Sequence, residues 1–201
     1  WFEVEATCPR DGKEAIEAAG GEELEVLINS GGGSVMAGQE MYSALREKDN
    51  VKIKIQSLAG SAASVVAMAG KSAISPVAMI MIHNVSIRGA SGDYRDMQKN
   101  AEILKQMNAA MANAYTEKSG MKMEEVLKLM DRETWLTAGQ CLEYGFVDEI
   151  MEEAGSGLYT NSCGGLWLTD EIRKRAEKER ARAEQNRQKE ELLSDLDFYG
   201  V

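Results

Sequence analysis

Hydrophobic positions in the first 150 residues alternate between short β-like runs and amphipathic helical stretches. Val51 to Ile55 alternates apolar and polar residues, which is typical of a strand with one wetter face. The pattern predicts strands at 1–7, 24–29, 51–55, 73–74, 77–83 and 146–147, and helices at 13–19, 35–46, 61–69, 93–118, 123–130 and 138–144. This β-α-β rhythm predicts an α/β fold with a mostly parallel sheet and right-handed crossovers.

The long predicted helix at 93–118 carries one apolar stripe on its surface. At helical spacing the stripe contains Met97, Ala101, Leu104, Met107, Met111 and Tyr115. A methionine-rich stripe of this kind is usually core packing, and we expect core packing here.

The pattern changes after residue 152, and we expect three segments. Residues 1–152 form the compact domain, 153–168 a glycine-rich loop, and 169–201 a charged helical extension. Apolar residues in the extension are too sparse for sustained heptads, so a solvated helix is expected there.

Composition narrows the function classes. A net charge of −10 over 201 residues disfavours general binding to nucleic acids or anionic membranes. Three cysteines, Cys8, Cys141 and Cys163, show no metal-ligand spacing, so neither a metal nor a cofactor is expected. The longest apolar runs are too short to cross a bilayer, and a reducing compartment suits unpaired thiols. We therefore expect a cytoplasmic protein.

Candidate chemistry centres on the small-residue stretch from Ala59 to Gly70. Ser64 is the polar residue well inside it, and a buried serine most often bonds back to its own helix. Two neighbouring features suggest more than that: a glycine-rich turn at 30–34 follows one strand, and His83, the only histidine, ends another. A hydroxyl, an imidazole and free backbone N–H groups are the parts of acyl-transfer catalysis.

Four motifs in order resemble signatures of the Clp protease proteolytic subunit (ClpP) family. They are Ile28-Asn29-Ser30-Gly31-Gly32-Gly33-Ser34, Gly60-Ser61-Ala62-Ala63-Ser64, Met81-Ile82-His83-Asn84, and Thr137-Ala138 with Leu142 to Asp148. The short connection from the serine to the histidine resembles the phage and prophage branch of head-maturation proteases. The resemblance implies a ClpP/crotonase-like β-α-β superhelix.

The resemblance also implies roles for individual residues. Ser64, which follows two alanines, would be the nucleophile and His83 its base, with Ser61 as a rival hydroxyl. The oxyanion hole would be formed by the N–H groups of Gly33 and Val65. Gly32 and Ser34 would bind the substrate as an added strand.

The acid of the triad is the least determined position. Alignment of Thr134 to Ala138 places Glu133 where the family has its aspartate. Asp131 has the matching residue type but lies two positions earlier. Either carboxylate could orient the imidazole, and both could be an ordinary charge cluster at a helix end.

The function implied by these residues is serine endopeptidase activity on extended polypeptides, with capsid or scaffold proteins as substrates if the phage resemblance holds. Such a protein would form a homo-oligomeric ring, a heptamer or stacked rings, and the sequence leaves an ATP-dependent unfoldase partner open. Two alternatives remain: an acyl-CoA hydratase or isomerase of related fold, and a ring-forming structural protein without activity.

Overall fold

The computed structural model describes residues 6–152. The strands are β1 (Leu24–Ser30), β2 (Val51–Gly60), β3 (Lys71–Ile74), β4 (Met79–Ile82), β5 (Thr134–Thr137) and β6 (Glu149–Ile150). The helices are α1 (Pro9–Ala19), α2 (Val35–Arg46), α3 (Ala62–Ala67), α4 (Tyr94–Ser119), α5 (Met123–Asp131) and α6 (Ala138–Glu143).

Strand β2 is the centre of the sheet. It pairs in parallel with β1 along one edge, and with β3 and then β4 along the other. Strand β6 extends β3 in parallel, whereas β5 runs antiparallel to β4. The predicted α/β class with a mostly parallel sheet is confirmed.

Alternation along β2 separates the core from the surface. Ile53 and Ile55 are buried, and Lys52 and Lys54 point outward. The two lysines form ion pairs with acidic residues on or next to β1, Lys52 with Glu23 at 2.7 Å and Lys54 with Glu25 at 2.5 Å. The strand therefore has the wetter face that its sequence predicted.

Several predicted elements differ from the structure, among them helix α1, which begins at Pro9 and not at residue 13. Strand β2 continues to Gly60, and β5 was not predicted because four residues next to a helix end carry little periodicity. The last strand is Glu149–Ile150; Phe146 and Val147 are buried just before it. The predicted strand at 1–7 falls almost wholly outside the described residues, as do the predicted loop at 153–168 and the helix at 169–201.

Helix α4 packs as predicted only in its C-terminal half. Met111 and Tyr115 are buried, whereas Met97 and the neighbouring Ile103 are 38% and 46% exposed. The expectation that the whole stripe packs into the core was therefore wrong: within the described residues α4 packs mainly against α5 and α3, and its N-terminal residues stay exposed. Between residues 6 and 152, no helix combines the length and hydrophobicity that crossing a membrane requires.

Candidate active site

The junction between β2 and α3 holds a strained serine. Strand β2 ends at Gly60, helix α3 begins at Ala62, and Ser61 between them has φ 51° and ψ −122°. A non-glycine residue with this backbone costs about 1–3 kcal/mol and persists only where its surroundings enforce it. Here the Ser61 N–H donates to the Met81 carbonyl at 2.9 Å, and the Ser64 N–H donates to the Ser61 carbonyl at 3.0 Å.

The glycine-rich turn after β1 packs directly against this serine. A Cβ atom on Gly32 would lie 2.6 Å from the Gly60 carbonyl oxygen and 2.7 Å from the Ser61 Cβ. Gly32 also has φ +101°, a conformation that side chains rarely adopt. The close approach therefore requires glycine at this position.

His83 faces the same junction from the neighbouring strand. Gly60 pairs with Met81, so the residues that follow each strand, Ser61 and His83, emerge side by side. The His83 Nε2 lies 2.7 Å from the Ser61 Oγ, and both residues are half-buried. A hydroxyl held on an imidazole nitrogen is the arrangement of an activated nucleophile and its base.

The predicted pairing of Ser64 with His83 is wrong. Ser64 lies on the inner side of α3 with 0% exposure, and its Oγ contacts the Ser61 carbonyl at 2.5 Å and the Tyr115 hydroxyl at 2.7 Å. Ser61 precedes α3 as its N-cap and has a non-helical backbone, so its side chain does not follow the helix face that carries Ser64 and points to the strand ends instead. The structure brings Ser61, the rival hydroxyl, to the histidine.

Because Ser61 and not Ser64 contacts His83, one of the two candidate N–H donors of the oxyanion hole also changes. Val65 was predicted because it follows Ser64, but it lies inside α3, where helical hydrogen bonds use the N–H groups. Ala62 follows Ser61 and is the first residue of α3, so its N–H has no acceptor within the helix. Gly33, the other predicted donor, lies in the turn beside Gly32. Ser34 caps α2, and its Oγ accepts from the Ala37 N–H at 3.5 Å.

Neither candidate acid contacts the imidazole. Within residues 6–152, no carboxylate hydrogen-bonds to His83; Asp131 instead accepts from the Asn84 side chain at 2.8 Å. Glu133 accepts a long hydrogen bond of 3.4 Å from the Trp135 indole N–H. Both carboxylates are exposed.

Sequence reasoning ranked Ser61 only as a rival hydroxyl and did not connect Tyr115 with the site. The signal for Ser61 was its place between the end of a strand and the first turn of a helix, where a sharp turn exposes a nucleophile. Tyr115 gave no such signal, because it lies in a helical stripe of otherwise apolar residues. In the part of the chain described, no group of three or more His, Cys, Asp or Glu side chains is placed to hold a metal.

Comparison with known proteins gives one consistent result. The family model described as Clp protease matches residues 16–154. ATP-dependent Clp protease proteolytic subunit 2 of Tropheryma whipplei is 32% identical over 137 residues, 66% of this chain and 75% of the relative. Subunit 2 of Corynebacterium diphtheriae is 34% identical over 140 residues, covering 68% and 70%. Subunit 1 of Chlamydia trachomatis serovar D is 31% identical over 136 residues, covering 65% and 71%.

The contact between Gly32 and Ser61 can be tested by adding one methyl group. Gly32→Ala should slow fluorophosphonate labelling of the serine by about 100-fold, because a shift of about 1 Å at a reacting group has effects of this size. Gly31→Ala is the matched control, since a Cβ there meets nothing within 4 Å. Equal labelling rates for the two variants would show that the close approach does not position the serine.

Proposed function

The chain belongs to the Clp protease family and is a serine endopeptidase, and we propose that Ser61 is its nucleophile and His83 its general base. The observation that carries this proposal is the 2.7 Å contact between the Ser61 Oγ and the His83 Nε2. It is supported by the strained backbone of Ser61, since strain of this kind is concentrated at functional sites.

The proposed reaction is a two-step acyl transfer. His83 takes the Ser61 proton while the Oγ attacks the carbonyl carbon of the scissile peptide bond, giving a tetrahedral intermediate. The imidazolium then protonates the leaving amine, and an acyl-enzyme remains on Ser61. Water, deprotonated by the same imidazole, attacks the ester; the imidazolium then protonates the leaving Ser61 Oγ, which releases the second product and restores the free enzyme.

Two backbone N–H groups, of Gly33 and Ala62, are proposed to bind the developing oxyanion. Ala62 follows the nucleophile at the N-terminus of α3, and Gly33 lies in the turn that packs on Ser61. Preorganised donors aimed at a developing charge contribute about 3–4 kcal/mol each to rate acceleration in well-studied enzymes. The substrate would lie as an extended strand along Gly32 and Ser34, the mode predicted from the sequence.

The geometry of the site favours a serine endopeptidase over the two alternatives left open by the sequence. An acyl-CoA hydratase or isomerase would use the glycine-supported oxyanion hole but would not need a serine on an imidazole. A structural protein without activity would not need the strained backbone at Ser61, which costs stability. Both alternatives leave the hydroxyl–imidazole contact unexplained.

Narrower statements about substrate and location remain proposals. A capsid or scaffold protein as natural substrate rests on the resemblance of the serine-to-histidine segment to the phage branch. The relatives are named as ATP-dependent, which makes an unfoldase a candidate partner. A cytoplasmic location is supported by the free thiols of Cys8 and Cys141.

Substitution of the proposed nucleophile and base tests the central assignment. Ser61→Ala and His83→Asn should each reduce hydrolysis of an unstructured peptide by at least about 10³-fold, because loss of a triad member has effects of this size or larger. Turnover is measured with a fluorogenic peptide, without ATP, because an extended chain needs no unfolding. Full activity in Ser61→Ala would contradict the assignment.

Glu133 is the better candidate for the acid. The ladder between β4 and β5 pairs Ile82 with Thr134, so its continuation places Glu133 opposite His83. Glu133 has φ 50° and only a long hydrogen bond, so its side chain is free to turn toward the imidazole. Asp131, by contrast, is held by its 2.8 Å hydrogen bond to Asn84.

Replacing each carboxylate by the corresponding amide shows which of the two is the acid of the triad. Glu133→Gln should lower turnover by up to about 10⁴-fold while leaving the fold intact, because an amide stabilises the wrong imidazole tautomer. Asp131→Asn should have a mild effect on turnover. The reverse order would identify Asp131 as the acid, and two mild effects would indicate a Ser-His dyad.

A homo-oligomeric ring is the proposed assembly. The N-terminal half of α4 exposes Tyr94, Met97 and Ile103 along a helix of 26 residues. An apolar surface of this kind on a helix is typical of a contact between subunits. Contact between copies of the chain through this half-helix would bury it.

Light scattering tests this assembly. The protein should have the mass of a cyclic oligomer at micromolar concentration, and Ile103→Glu should lower that mass because it places a charge in the contact. Lys105→Glu, at an exposed position on the same helix, is the control for added negative charge. A monomeric wild-type mass would contradict the proposal.

A further inference from the structure

Ser64 carries a buried hydroxyl that takes no part in the proposed reaction. It has 0% exposure, so neither a substrate carbonyl nor water reaches it. Its Oγ nevertheless has two close polar partners, the Ser61 carbonyl at 2.5 Å and the Tyr115 hydroxyl at 2.7 Å. These contacts connect helix α4 to the backbone of the proposed nucleophile.

Proton counting gives the direction of both hydrogen bonds. A carbonyl oxygen only accepts, so Ser64 must donate its one proton to Ser61. Tyr115 must then donate to Ser64, because the Ser64 proton is already in use. The chain therefore runs from the Tyr115 hydroxyl through the Ser64 hydroxyl to the Ser61 carbonyl.

The Ser61 carbonyl is the point at which the strained turn needs support. Both the N–H and the Oγ of Ser64 donate to it, at 3.0 and 2.5 Å. On the other side of the residue, the Ser61 N–H is held by the Met81 carbonyl at 2.9 Å. The peptide groups on both sides of the serine are thus fixed, and the direction of its Oγ toward His83 depends on them.

Tyr115 is a rigid anchor for this chain. It is 2% exposed, and its ring packs against Phe146 with centroids 5.7 Å apart. Burial raises the pKa of the Tyr115 hydroxyl, so it stays protonated as a donor.

We propose that Ser64 and Tyr115 are positioning residues, which hold the Ser61 carbonyl through two consecutive hydrogen bonds and thereby aim the Ser61 Oγ at His83. This inference rests on the proposed role of Ser61 as nucleophile. The pair touches neither substrate nor imidazole, so it acts on the rate of attack and leaves substrate binding and the shape of the pH–rate profile unchanged.

The test uses Ser64→Ala, Tyr115→Phe and the double variant in the full chain. Each is titrated with a fluorophosphonate to count active sites, and kcat, KM and the pH–rate profile are then measured per titrated site. Tyr144→Phe is the matched control for the tyrosine, because its ring also packs on Phe146. Ser72→Ala is the control for the serine, since Ser72 is buried and its Oγ has no partner among the described residues.

The proposal expects kcat per site to fall about 10- to 100-fold in Ser64→Ala, with KM and the apparent pKa unchanged. Tyr115→Phe should lose less, about 3- to 10-fold, because the Ser64 donor remains but is less well directed. The double variant should resemble Ser64→Ala, since both substitutions remove one chain of contacts. The two controls should keep the wild-type kcat.

Three results would overturn the proposal, and they separate it from the proposed function. Wild-type kcat per site in both single variants, with Ser61→Ala inactive, would refute the positioning role and leave Ser61 as nucleophile. Fewer titratable sites at unchanged kcat per site would show a purely structural role. Loss of labelling in Ser64→Ala together with full labelling in Ser61→Ala would refute both.

Discussion

The site depends on one strained residue, Ser61, held between the end of β2 and the start of α3. Its φ of 51° would relax in an isolated chain, and the fold prevents this from three directions. The Met81 carbonyl of β4 accepts from the Ser61 N–H, and the Ser64 N–H of α3 donates to the Ser61 carbonyl. The turn at Gly32 packs closely against the Ser61 Cβ. Each support belongs to a different element, so the geometry forms only when the sheet and the helix have packed.

The same arrangement brings the chemistry together. Strands β2 and β4 are parallel neighbours, so the residues that follow them share one edge of the sheet. Ser61 and His83 are those residues, and the turn after β1 adds Gly33 at the same edge. Parallel pairing thus positions a hydroxyl, an imidazole and a backbone donor by topology, and local strain determines which way the hydroxyl points.

Much of this could be predicted from the sequence, and the limits have physical causes. The alternation in Val51 to Ile55 predicted a strand that the structure confirms, and the lone His83 after an apolar run is the base that we propose. The start of α3 was predicted to within one residue, at 61 where the structure has Ala62. The preference for Ser64 came from the resemblance, in which the serine follows two alanines. The direction of the Ser61 side chain, by which the structure distinguishes the proposed nucleophile from its proposed support, depends on the backbone turn at Ser61 and is not visible in a run of small residues.

Two other limits have a different origin. The stripe on α4 has helical spacing throughout, but spacing does not reveal that only its second half, where Met111 and Tyr115 are buried, is covered by the rest of the described fold. The acid depends on side-chain direction at a turn, where Glu133 has a positive φ. Periodicity contains no information about either feature.

The most direct measurement is the position of a fluorophosphonate adduct on the wild-type chain. Digestion with trypsin gives a peptide from Ile55 to Lys71 that contains Ser57, Ser61 and Ser64, and fragmentation between Ala59 and Gly60 and between Ala62 and Ala63 separates the three. The account predicts the added mass on Ser61, because that hydroxyl lies on the His83 Nε2 and Ser64 is buried. An adduct on Ser64, or none on either serine, would contradict it.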